Sequence, residues 1–181
     1  VTVMQRLGFI HDMMDVKVLL LLVLSRCNYP VSTQEAYELC YQDDCLSYFD
    51  VCTALPEMVK SGHIHQVEGE KYEITDKGRE TAGLTEDSIA FTVRQRAENA
   101  VAAFNRKMRR SSFVKTSVTA REGGDYSVLL ELDDEMGSLM KLELLAPDQR
   151  QGERLAKLFE KKAEEIYNLT MTELLDDEDD G

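Results

Sequence analysis

The residues best suited to chemistry are a pair of histidines, His63 and His65, and four cysteines, Cys27, Cys40, Cys45 and Cys52. Two residues apart on a strand, the two imidazoles face one side, and Cys40, Cys45 and Cys52 would have to converge on them to bind zinc. The spacings C-x4-C-x6-C and H-x-H match no common structural zinc module. No C-x-x-C pair is present, so the cysteines read as reduced, mostly buried thiols of a cytoplasmic protein, with Cys40 and Cys52 as core residues. No glycine-rich phosphate loop, nucleophile elbow or H-E-x-x-H motif occurs. The carboxylates, though numerous, form no isolated pair on an apolar background. Neither an enzyme, a cofactor nor a metal is expected.

The remaining chemistry is charge. The 181 residues hold 21 Lys and Arg against 34 Asp and Glu, net −13, with a pI near 4.7. Residues 1–83 carry 7 basic and 13 acidic groups, residues 84–121 carry 8 and 3, and residues 122–181 carry 6 and 18. A basic segment therefore lies inside an acidic chain. Its cations are Arg94 and Arg96, then a cluster of Arg106, Lys107, Arg109 and Arg110. That cluster could meet phosphates or an acidic partner, or be the solvated charge that favours a helix C-terminus.

Elements must position these groups, and a hydrophobic share of 43% is enough to fill a core. The longest apolar run, Val18–Leu24, is far short of the ~20 residues that span a bilayer, and no basic stretch makes it a secretory signal. Asp15 can cap a first helix through Leu24, ended by Asn28 and Pro30. Ser32 and Glu35 are spaced as a capping box for a second helix to about Tyr41, and Ser47 with Asp50 for a third. Asp43-Asp44 separates the two. Phe49, Cys52, Leu55 and Val59 form the inner face of the third helix, which Gly62 stops. Pro56 removes one of its hydrogen bonds and either bends it or splits it in two.

After Gly62 the period changes to two: Ile64 to Val67 and Tyr72 to Ile74 make a hairpin around Glu68-Gly69-Glu70. Thr75-Asp76 then caps a short fourth helix. Three helices followed by a hairpin predict a winged helix-turn-helix over residues 1–83. Tyr72-x-Ile74-Thr75-x-x-Gly78-Arg79 and Leu55-x-x-Met58-Val59-x-x-Gly62-x-Ile64 resemble the matching stretches of MarR-like and PadR-like regulators. The outward face of the third helix is then Ser47, Asp50, Ala54, Glu57 and Ser61, two carboxylates where a DNA reader carries cations. Candidate DNA contacts are Thr33, Gln34, Ser47, Tyr48, Ala54, Lys71, Arg94 and Arg96.

Residues 84–112 read as a long basic helix capped by Thr85 and opening on Glu86-Asp87-Ser88. Its stripe of Ile89, Val93, Ala97, Ala100, Val101, Phe104 and Met108 either pairs with a twin helix or covers the C-terminal sheet. Residues 113–170 predict a three-stranded antiparallel meander (Val114–Ala120, Tyr126–Leu132, Leu139–Leu145) and a helix from Asp148 to Tyr167 burying Leu155, Leu158, Phe159, Ala163 and Ile166. Residues 171–181 are an acidic tail, able to fold back on the basic cluster or simply to solubilise. The fold class is α+β.

Gly8-Phe9-Ile10-His11-Asp12, Ser47-Tyr48-Phe49-Asp50, Gly62-His63-Ile64, Val93-Arg94 with Arg96, Leu142-x-Leu144-Leu145-Ala146-Pro147 and Ile166-Tyr167-Asn168 extend over nearly the whole chain. On these stretches it resembles the bacterial domain-of-unknown-function family four-three-six-four. The resemblance implies a winged helix and a regulatory role, with no activity to carry over; Pro56 stands where such sequences have a helix former. The expected function is a homodimeric, cytoplasmic, DNA-binding transcriptional regulator with no membrane segment and an unidentified effector. The alternative is a winged-helix module that binds protein rather than duplex DNA.

Overall fold

In the computed structural model, residues 10–41 and 46–175 are described. Cys45, Asp43-Asp44, Gly8-Phe9 and the acidic run from Asp176, all invoked above, lie outside them. The described residues form six α-helices and two three-stranded antiparallel sheets in a mixed α+β arrangement, divided into two compact units at Lys107/Met108.

The first unit is built on α1 (Met13–Arg26), in which every residue from Val18 to Leu24 is buried. Its cap is Asp12, not Asp15: the Asp12 carboxylate accepts from Met14 N and Asp15 N, while Asp15 accepts from His11 N. A helix apolar on all sides must be surrounded, and α2 (Thr33–Cys40), α3 (Tyr48–Lys60) and α4 (Asp76–Thr85) do so. The capping boxes Ser32/Glu35 and Ser47/Asp50 are both closed. A two-residue strand, β1 (Val31–Ser32), joins β3 (Lys71–Ile74), which pairs with β2 (Ile64–Val67) in the order β1-β3-β2. At the hairpin tip Gly69 and Glu70 both have positive φ, 77° and 56°. A left-handed conformation costs an ordinary side chain roughly 1–2 kcal/mol, and Asn tolerates it better. Glu70→Asn is expected to raise stability by about 0.5 kcal/mol, read as a higher urea midpoint at unchanged slope; a lower midpoint would contradict the strain.

Residues 84–112 depart from expectation. Thr85 ends α4 instead of opening a helix, and its hydroxyl donates to Thr81 O. Glu86–Ser88 is a single 3-10 turn, and α5 begins at Phe91 and runs to Ser112. Ile89, Ala97 and Val101 are buried in the core built around α1, with Val93, Ala100 and Phe104 packed against it. From Ile89 to Phe104 the stripe thus meets the first unit's own core. Asn105 fastens the contact: its Nδ2 donates to Arg26 O at 3.0 Å and its Oδ1 accepts from Asn28 N at 2.9 Å.

The second unit is a meander, β4 (Val114–Ala120), β5 (Tyr126–Asp134) and β6 (Gly137–Ala146), in spatial order β4-β5-β6 with a bulge at Leu132/Asp133. One face carries Val128, Leu130 and Leu132 against Ala156, Phe159 and Ala163 of α6 (Gln149–Leu175). Gly152 permits close approach, because a Cβ there would stand 2.8 Å from Val118 Cγ1. The helix extends eight residues past Tyr167, into the region expected to be tail, and Leu158 is exposed rather than buried.

Candidate nucleic-acid interface

The phase of α3 decides which side chains it can offer a partner. Val51, Ala54, Leu55 and Met58, at i, i+3, i+4 and i+7, are its buried residues. Phe49, expected inside, is 76% exposed, and Cys52 is exposed as well. Ala54, a candidate DNA contact, lies in the core and touches no partner. Pro56 explains the phase: it leaves the Cys52 carbonyl without its helical donor, and both residues sit on the solvent side where water can hydrate that group. The helix runs unbroken through Pro56 from Tyr48 to Lys60. The proline was the signal for the outward face, and the large Phe49 concealed it.

The two carboxylates of α3 are engaged within the fold. Asp50 accepts from Ser47 N at 3.0 Å, and Glu57 lies 2.7 Å from Lys17 Nζ. The exposed surface therefore includes Phe49, Cys52, Pro56 and Lys60, with Thr53 half-buried beside them and Glu57 exposed although paired with Lys17. Tyr48, 45% exposed, stands edge-on to Tyr37 at 5.7 Å, which ties α3 to α2; a hydrogen bond with Cys52 raises its phenol above the usual value. Thr33 and Gln34 open α2, where Gln34 donates to Glu38 at 2.8 Å.

Positive charge gathers at the C-terminal end of α3. Lys77 Nζ donates to Ser61 O at 2.7 Å, and His63 Nδ1 shares a 2.7 Å hydrogen bond with Ser61 Oγ. Partial burial, then Lys77 and Lys17, hold His63 below the ordinary imidazole range. His65 has a different partner, Glu73 across the hairpin at 3.4 Å. Among the described residues no three His, Cys, Asp or Glu side chains come together as a metal site. Lys71 opens β3, opposite Ser32 and Val67.

Three of the other candidate cations, Arg94, Arg109 and Arg110, are paired locally. Arg94 lies 3.7 Å from both Glu86 and Asp87 and its guanidinium sits 6.0 Å over the Phe91 ring. Arg96, Arg106 and Lys107 are exposed on α5. Arg109 is paired with Glu135, and Arg110 lies 3.8 Å from Glu164. Sequence reasoning missed Lys17, Lys60 and Lys77, which three separate helices bring to one end of α3; no local spacing announces them.

The thiols differ sharply. Burial, with Glu35 nearby, pushes the Cys27 thiol up to about 12, and complete burial with Cys27 as neighbour drives Cys40 higher still. A disulfide reagent is expected to modify the exposed Cys52 quickly and leave the half-buried Cys27 and the buried Cys40 untouched. Cys52→Ser should remove one fast-reacting equivalent while Cys40→Ser removes none; the reverse would contradict the phase of α3.

No described helix is long and apolar enough to cross a membrane. The model of a family described as "Domain of unknown function (DUF4364)" matches residues 16–174. No curated protein and no solved structure matches the chain.

Proposed function

The chain belongs to the DUF4364 family, whose description assigns no activity, and we propose that it is a winged helix-turn-helix protein that binds duplex DNA as a dimeric regulator. The order α1-β1-α2-α3-β2-β3, with a small sheet ordered β1-β3-β2 and α3 open to solvent, supports this reading most strongly. The carboxylates of α3, which argued against DNA in the sequence, are committed to Ser47 and Lys17. On this reading Lys60, Lys71 and Lys77 supply the cations that meet phosphates. Because α3 exposes no Arg, Asn or Gln along its face, binding would rest on phosphate contacts more than on base reading.

A second reading has its own support. Phe49, Tyr48, Cys52 and Pro56 form an exposed, largely apolar strip that suits a protein partner. Titration of a random duplex with salt separates the two. Each phosphate neutralised contributes about −0.9 to the slope of log K against log salt, so Lys60→Ala combined with Lys71→Ala is expected to make the slope shallower by about 2. Absence of binding at ~20 mM salt, where charge is least screened, would reject DNA and leave the protein-binding reading.

A further inference from the structure

In the second unit exposed apolar residues lie at Met136, in the last turns of α6 (Leu169, Met171, Leu174 and Leu175) and along the open edge of the sheet. β6 ends the sheet and has a strand neighbour on one side only. It nonetheless carries Leu139, Leu144 and Leu145, which are 40%, 40% and 60% exposed. Leu158 of α6, 45% exposed, belongs to the same edge. Glu160 accepts from Thr116 Oγ1 of β4, so at about 100° per residue the flank of α6 carrying Leu158 is turned the other way, toward β6. A long apolar edge strand is a template for another strand unless charge blocks it. The charges on β6 are Lys141, 2.6 Å from Glu131 of β5, and Glu143, two residues on.

The order of residues along β6 selects a partner. Directly opposed residues in a symmetric antiparallel pair share a face, so the two-fold axis must pass through a residue. Centred on Leu142, the pairing sets Lys141 against Glu143, Met140 against Leu144 and Leu139 against Leu145, each twice. Shifted to Lys141 or Glu143, it places like charges opposite each other at the axis. Centred on Met140 or Leu144, it sets a leucine against Lys141 or Glu143. One register therefore joins charge to opposite charge and leucine to leucine, and the bulge at Leu139 falls at its end.

We propose that β6 is a self-association edge, through which two copies join their meanders into one six-stranded sheet about an axis at Leu142. This supplies a surface for the dimer proposed above and does not depend on DNA binding. An axis normal to the sheet leaves both α6 helices on one face, where Leu144 and Leu158 of each copy line the seam. The partner is a second copy of this chain, because its own charge order is the complement that the edge requires.

Charge reversal tests the register. Light scattering is expected to give twice 20.6 kDa for the wild type at micromolar concentration. Lys141→Glu opposes two glutamates and Glu143→Lys opposes two lysines, so each variant alone is expected at half that mass. Mixed in equal amounts, the two variants restore both opposite-charge pairs and should recover the dimer mass, which neither could do if misfolded. A wild-type monomer would overturn the edge and the dimer together. A dimer that survives both reversals, or variants that stay monomeric when mixed, would overturn the edge alone.

Discussion

Gly78→Ala is expected to lower stability by about 1–3 kcal/mol net, the gain of about 1 from alanine's better helix propensity included. A Cβ at this position would stand 2.1 Å from the His63 carbonyl oxygen and 2.7 Å from Ile74 Cγ1. That oxygen has little freedom to withdraw, since it accepts from Thr75 N and from Thr75 Oγ1, both at 3.0 Å. Thr75 Oγ1 also reaches Gly62 O at 2.7 Å and accepts from Gly78 N, capping α4. Relief requires the first turn of α4 to lift from the hairpin. The cap, about 1 kcal/mol, is then lost in addition to an overpacking cost of about 1–3 kcal/mol. Gly83, in the same helix, would place an added methyl group with nothing within 4 Å, and Gly83→Ala is expected to stabilise by about 0.5–1 kcal/mol. Urea unfolding of the two variants should move the midpoint in opposite directions. A shift of the same sign for both would mean that α4 does not approach the hairpin as closely as described.

Phe159→Ala is expected to cost about 3–5 kcal/mol, the range for removing a buried aromatic ring. The second unit has a small core: Val128, Leu130, Leu132, Ala146, Ala156, Phe159 and Ala163 are its buried residues. Three of these are alanines, so the ring supplies the largest side chain between α6 and the sheet. The cavity it leaves is lined by strand residues whose positions are set by ladders on β5, and such a site collapses poorly. Leu84→Ala, at an exposed residue of α4, is the comparison, with an expected change within about ±0.5 kcal/mol. Thermal unfolding followed by far-ultraviolet dichroism would read both. An effect of Phe159→Ala as small as that of Leu84→Ala would contradict the placement of α6 on the meander.

Most of the chain's local structure is legible without a fold. The capping boxes at Ser32 and Ser47, the stop at Gly62, the change of period at Ile64 and the three-strand meander depend on neighbours a few residues away. Local hydrogen bonds and backbone preference are enough to set them. Helix phase was less legible. In α3 two apolar stripes share Leu55, one through Phe49 and Cys52, the other through Val51, Ala54 and Met58. Side-chain size favoured the first. Burial followed the second, because the carbonyl that Pro56 leaves unbonded needs water. For α5 the stripe was evident and its partner was not: Ala97 and Val101 enter the core that holds α1, and Asn105 bonds to the end of α1 at a separation of more than seventy residues.

The net charge of −13 raised an objection to nucleic acid that composition alone could not resolve. Its distribution along the chain was a property of the sequence, as were the element types and the strand whose residue order complements itself. Which of those charges face a partner was decided by tertiary structure. Asp50 turns to cap its own helix, Glu57 meets Lys17 from another, and Arg94 is drawn between Glu86 and Asp87. Charge acts through distance and solvent exposure, and both are set only when separate elements come together.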